Sequence, residues 1–123
     1  MKVLALDYGA ARTGVAVSDP TGTVARPVGV VERAASVSGL ARLRAIVEEQ
    51  EAGQVVVGMP LTLRGERGEQ ARETEEFVAA LRRALAVPVV CFDERFTSVL
   101  AGGDDAKAAA HLLSSYLEWS GRA

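Results

Sequence analysis

A chain of 123 residues, 49% apolar and 24% charged, has the balance of a soluble globular protein and fits one domain, residues 1–123, able to bury a core without staples. Its formal net charge of −2 excludes a broad basic surface as the means of gripping nucleic acid, because such binding rests on neutralising many phosphates. The one cysteine, Cys91, excludes an internal disulfide and a cysteine-based zinc site, and the apolar runs fall well short of the roughly 20 residues of a membrane span, so a cytoplasmic protein with no membrane contact is expected.

Residues 2–8 form a short apolar run ending in Asp7-Tyr8-Gly9, and residues 14–18 form a second run after a glycine-flanked turn. Together they predict a hairpin. The extended segment 23–32 contains Pro27, which a sheet edge tolerates and a central strand does not, so it is expected at the edge. From Ser36 to Gln50 the apolar residues Val37, Leu40, Leu43, Ile46 and Val47 recur at helical spacing, with Glu48 and Glu49 off the stripe. Gly53 is expected to stop this helix. Residues 54–60 are a continuous β-branched run of the kind covered on both faces, which predicts a buried parallel strand.

Helical spacing returns over residues 69–85 through Phe77, Val78, Leu81 and Leu85. Residues 88–92 read as another buried strand, with Cys91 as a small buried apolar residue. A last helix from Asp105 to Trp119 presents Ala109, Leu112, Leu113, Tyr116 and Leu117 as its apolar face. An antiparallel meander joined to two right-handed crossover units gives an α/β fold: a five-stranded mixed sheet in the order 3-2-1-4-5 with helices on both faces, the ribonuclease H-like architecture. Such a fold fixes no chemistry by itself.

The chemistry is sought in the carboxylates. Asp7 ends an apolar run at the expected centre of the sheet, where an unpaired charge is expensive to bury; it is either a turn-forming aspartate before Gly9 or a metal ligand. Asp93 and Glu94 follow the last strand, and because side chains alternate only one of them can face the same way as its core-facing predecessors; contact with Arg95 is the structural alternative for the pair. Asp104 and Asp105 open the final helix and suit an N-cap or a helix-dipole partner. Asp105, at helical spacing before Ala109 and Leu112, starts the face that docks on the sheet. Converging acids of this kind suit a two-metal phosphodiester-cleaving centre, in which metals about 3.5–4 Å apart clamp the attacking and leaving oxygens.

Leu4-Ala-Leu-Asp-Tyr-Gly9, Gly14-Val-Ala-Val17, Val55-Val-Val-Gly-Met-Pro-Leu61 with Gly65, Asp93-Glu-Arg-Phe-Thr-Ser98 and the segment from Asp105 to Leu117 together resemble the YqgF/RuvX family almost end to end. The resemblance implies a bacterial cytoplasmic nuclease that matures the 5′ end of the 16S ribosomal RNA precursor, with Asp7, Glu94 and Asp105 as the acidic set and Mg²⁺ or Mn²⁺ as the metal. The chain departs from the family between Ser98 and Asp105, where a basic loop is absent.

Around these acids the candidate substrate contacts are Tyr8, which either stacks a base or packs in the core, Arg12, and the arginines Arg64 and Arg67 of the loop after the fourth strand, with Arg72 nearby. Arg95 joins them, and Thr97 and Ser98 either orient substrate or cap a turn. His111, mid-helix, is expected at the surface or the core edge. The leading reading is a metal-dependent nuclease acting on structured RNA, as a monomer or homodimer. A Holliday junction resolvase acting on branched DNA is the alternative within nucleases, and would need a dimer to cut two strands symmetrically. A non-catalytic RNA-binding ribosome-assembly protein is the alternative outside them, favoured by the missing basic loop. A nucleotide-hydrolysing domain with a similar first hairpin would need a second related half, for which 123 residues leave no room.

Overall fold

The computed structural model describes residues 1–60, 68–94 and 105–121. Its elements follow one another as β1 (Lys2–Asp7), β2 (Arg12–Ser18), β3 (Ala25–Glu32), α1 (Val37–Gln50), β4 (Ala52–Met59), α2 (Glu69–Ala84), β5 (Val89–Asp93) and α3 (Asp105–Ser120). The five strands form one sheet in the order β3-β2-β1-β4-β5, as expected. β1 runs antiparallel to β2 and parallel to β4; β3 is antiparallel to β2, and β5 is parallel to β4.

Strand alternation divides the core in two. Leu4, Leu6, Val15, Val17, Val55 and Val57 point to one side, where Leu43, Ile46 and Val47 of α1 and Phe77, Val78 and Leu81 of α2 cover them. Val3, Ala5, Ala16, Val56 and Phe92 point to the other, where α3 lays Ala109, Leu112 and Leu113 on them. Each fully buried Val, Leu or Phe contributes about 1.5–3 kcal/mol, so both interfaces are strongly held. Ala5 and Ala16 are small, which lets α3 lie close to the sheet. Buried hydroxyls on and beside the sheet are satisfied: the Val3 amide donates to Ser18 Oγ at 2.8 Å, and Thr74 Oγ1 donates to the Gln70 carbonyl at 2.9 Å. An unmet donor there would cost about 1–3 kcal/mol.

Pro27 lies on the edge strand β3, where the pairing with β2 shifts register between Val15 and Ala16. Three local expectations are corrected. Val37 is not part of the buried stripe of α1: it is the first helical residue, turned outward and 89% exposed. The helix is stopped by Glu51, not Gly53; Glu51 takes the left-handed conformation (φ 55°) and its amide bonds back to the Glu48 and Val47 carbonyls, while Gly53 already belongs to β4. Cys91 is exposed rather than buried, on a strand that lies at the edge of the sheet. Among the described residues no helix is long and apolar enough to cross a membrane.

Candidate functional site at the ends of β1 and β5

Asp7 is the last residue of the central strand, two positions beyond Ala5, so alternation turns its side chain to the α3 face. Its neighbours across the sheet are glycines. On β2 it pairs with Gly14, and on β4 Gly58 follows Val57, the partner of Leu6. A Cβ on Gly14 would collide with the backbone carbonyl of Asp105. A Cβ on Gly58 would lie 2.5 Å from Oε1 and 2.9 Å from Cγ of Glu94, where carbon contacts need about 3.5–4.0 Å. Each glycine therefore clears the way for an acid from another element: the start of α3 rests on β2, and the Glu94 side chain crosses β4 towards Asp7.

The pairing also separates Asp93 from Glu94. Gly58 is opposite Phe92 and Met59 opposite Asp93; Phe92 packs under α3, so Glu94, two residues on, shares that face and Asp93 points to the other. Glu94 and Asp7 meet in a side-chain hydrogen bond. Burial, then the hydrogen bond and charge of Asp7, then the charge of Asp93 push the Glu94 carboxyl up to about 7. Asp7 is raised as well, by burial and by the charge of Asp105, while the bond from Glu94 works the other way and favours its ionised form. Burial and mutual contact thus favour a shared proton on the pair, with the hydrogen bond favouring the ionised form of Asp7 and the protonated form of Glu94.

Asp105 opens α3 and is the third acid at this end of the sheet, close enough for its charge to act on Asp7. Its Oδ2 is 3.4 Å from Nε of Arg12, the first residue of β2. Among the described residues no group of three or more His, Cys, Asp or Glu side chains is placed so that together they could hold a metal ion. Two half-buried carboxylates forced into contact, with a third standing off on an arginine, instead suit Mg²⁺ or Mn²⁺, which is commonly held by one or two carboxylates with water and substrate phosphate completing its shell.

The other candidates separate. Alternation turns Tyr8 to the face opposite the acids, where its half-buried ring stacks on Phe77 with centroids 4.3 Å apart and planes at 19°. Arg12 is exposed at the rim and paired with Asp105. Arg72 is exposed near the start of α2, and His111 is exposed on α3. Arg64, Arg67, Arg95, Thr97, Ser98 and Asp104 lie outside the described residues. Gly14 and Gly58 stand in the sequence as parts of family motifs, and their role as clearances for the acids is signalled only by their being glycines inside strands, which marks close approach of another group. Thr13, fully buried, was also passed over: its hydroxyl lies 3.4 Å from both the amide and the carbonyl of Gly9, on the turn that leaves Asp7.

A family model described as RuvX, Holliday junction resolvase, matches residues 1–119. A Rubrobacter xylanophilus protein provisionally named a pre-16S rRNA nuclease is 43% identical over 136 positions, covering 99% of this chain and 96% of that one. Those 136 positions exceed the 123 residues here, so the relative has residues that this chain lacks. A Chloroflexus aurantiacus protein with the same provisional name is 44% identical over 99 residues, which is 80% of this chain and 65% of the relative. Among solved structures, Thermus thermophilus RuvC in complex with a Holliday junction substrate superposes with a TM-score of 0.62 over 98% of this chain and 95% of that one, at 17% identity. That likeness establishes the shared ribonuclease H-like fold.

Proposed function

Because the chain belongs to the RuvX family, we propose that it is a metal-dependent nuclease that cleaves structured RNA, and that its substrate is the 16S ribosomal RNA precursor at its 5′ end, in the cytoplasm. The observation that supports this most is the contact of Asp7 with Glu94 across Gly58. Two carboxylates brought together on a sheet destabilise each other unless a proton or a cation lies between them. A protein that only needed a stable sheet end would gain by replacing either one.

Asp7 and Glu94 would hold the ion, and Asp105 would complete the acidic set. Mg²⁺ or Mn²⁺ bound there would supply Lewis-acid stabilisation of the charge that develops on the phosphodiester and make an attacking water more acidic. The chain's own part is positional. Asp7 is fixed by a strand bonded on both sides. A cation held by Glu94 would take the place of the proton that Glu94 and Asp7 share, so metal uptake would be coupled to proton release. With a net charge of −2, RNA contacts should be few, and Arg12, Arg64, Arg67 and Arg95 are the arginines proposed to make them.

The name of the family model and the likeness to a junction-bound RuvC favour branched DNA as the second reading. One experiment separates them: purified protein is incubated with labelled 16S precursor RNA and with a four-way DNA junction, each with Mn²⁺ or with EDTA. Mn²⁺-dependent cutting of the RNA supports the proposal; cutting of the junction alone gives the resolvase. Binding of RNA with no cleavage under either condition would identify an assembly protein.

A further inference from the structure

At the acidic end of the sheet an ion pair joins Arg12 to Asp105, and its placement is specific. Arg12 starts β2, immediately before the buried Thr13 and before Gly14, whose missing side chain lets the first residue of α3 rest on the strand. The guanidinium and the Asp105 carboxylate are thus brought together by the same close approach that delivers Asp105 to the site. The Arg12 side chain is 65% exposed and that of Asp105 34%. An ion pair so open to water is weak and readily exchanged, and a divalent cation carries twice the charge of a guanidinium.

Resting on the reading of Asp7, Glu94 and Asp105 as metal ligands, we propose that Arg12 is an exchangeable counter-ion that couples metal loading to capture of the substrate phosphate. Without metal, the guanidinium occupies Asp105 and offsets the repulsion between that acid and Asp7. When Asp105 turns to the ion, Arg12 loses its partner at the rim of the site. Its planar fork of donors, suited to two phosphate oxygens at once, then faces the substrate backbone. Arg12 is in this account a competitor for one ligand before it is a contact for the substrate. It differs from an ordinary surface arginine in that its two roles have opposite signs.

The test uses the full chain and two readouts besides cleavage: the affinity for Mn²⁺ alone, by titration calorimetry or the loss of the free Mn²⁺ paramagnetic signal, and the salt dependence of RNA binding in Mn²⁺. Arg12→Gln should bind Mn²⁺ about two- to fivefold more tightly, the range an exposed ion pair allows. It should also bind RNA more weakly, with a slope of log affinity against log salt flatter by about 0.7, one phosphate contact. Arg12→Lys should restore the wild-type Mn²⁺ affinity, since a point charge still competes, but only part of the RNA affinity, since an ammonium cannot fork. Unchanged or weaker Mn²⁺ binding in Arg12→Gln overturns the proposal, as does an unchanged salt slope. Asp7→Asn, measured alongside, keeps the two readings apart. If it loses Mn²⁺ while Arg12→Gln matches wild type, only the exchange fails; if it keeps Mn²⁺ at wild-type affinity, the metal site itself is wrong.

Discussion

A single methyl group added at Gly58 would test the site without altering any of its acids. In Gly58→Ala the new Cβ would lie 2.5 Å from Oε1, 2.9 Å from Cγ and 3.0 Å from Cδ of Glu94, against ordinary contacts of about 3.5–4.0 Å. The backbone cannot retreat, because β4 is hydrogen-bonded to β1 on one side and β5 on the other. The Glu94 side chain must therefore swing aside by about 1 Å, which takes its carboxylate out of contact with Asp7. Misplacement on that scale costs a catalytic centre about 10²-fold in rate. Folding should be little affected: the alanine restricts the unfolded chain, which stabilises by about 0.4–1 kcal/mol, and the clash falls on a movable side chain. The expected outcome is a melting temperature within a few degrees of wild type, Mn²⁺ binding weakened by about tenfold, and RNA cleavage lowered by about 10²-fold. Thermal melts, Mn²⁺ titration and cleavage of labelled precursor RNA measure the three. A folded Gly58→Ala protein with wild-type Mn²⁺ affinity and turnover would refute the reasoning, since the glycine would then clear nothing that matters.

Asp7→Asn should abolish cleavage while leaving the melting temperature in EDTA equal to or above that of wild type, because removing one charge relieves carboxylate repulsion; an active variant would end the nuclease proposal. In EDTA, stability should fall as pH rises through about 7, since the Glu94 carboxyl is raised from 4.5 to that value in the folded chain and the fold favours its protonated form. That contribution is complete below pH 4.5, amounts to at most about 3 kcal/mol and to about 1–2 kcal/mol once partial solvent access is allowed for; urea titrations of wild type and Glu94→Gln from pH 5 to pH 8.5 should show the slope only in wild type. Tyr8→Leu should lower stability by about 1–2 kcal/mol through loss of the stacked pair with Phe77, yet leave RNA affinity unchanged; a loss of about 1–3 kcal/mol in RNA binding would instead return the ring to base stacking. The salt slope of wild-type RNA binding should be about −2 to −3, as three or four phosphate contacts require.

The course of the chain was readable where burial imposes a period. The β-branched run at Val55, Val56 and Val57 and the spacing of Phe77, Val78 and Leu81 leave one plausible role each, and Pro27 marks an edge wherever it stands in a sheet. Asp7 stood out for the same reason: an acid closing an apolar run needs an explanation. Periodicity stated that Asp93 and Glu94 must differ but could not choose between them, because the choice depends on which residue of β4 lies opposite Phe92. That is a long-range register, and the resemblance supplied the answer before the pairing did. Cys91 and Val37 misled for a related reason. Both carry the chemistry of a core residue, and only the edge position of β5 and the direction of the first turn of α1 determine that neither is covered. Gly58 is hidden by its surroundings, since a glycine within a β-branched run reads as one more strand residue until the side chain crossing it is seen.

The two acids that meet across Gly58 are mounted unequally. Asp7 ends a strand with a neighbour on either flank, whereas Glu94 follows β5, five residues long and bonded to β4 alone. Besides the packing of Val89 and Phe92, Arg82 of α2 steadies β5 from outside the sheet: its Nε and Nη2 donate to the Val89 carbonyl at 3.2 and 2.8 Å. Opening of a border strand costs less than opening of a central one, and each opening of β5 would carry Glu94 away from Asp7. An ion bridging the two acids would resist that opening and act as a rivet between the border and the centre of the sheet. Amide exchange in β5 should therefore slow on addition of Mn²⁺ while exchange in β1 hardly changes. Arg82, on the far side of the sheet from the carboxylates, would govern how long the acidic pair stays assembled without touching RNA or metal.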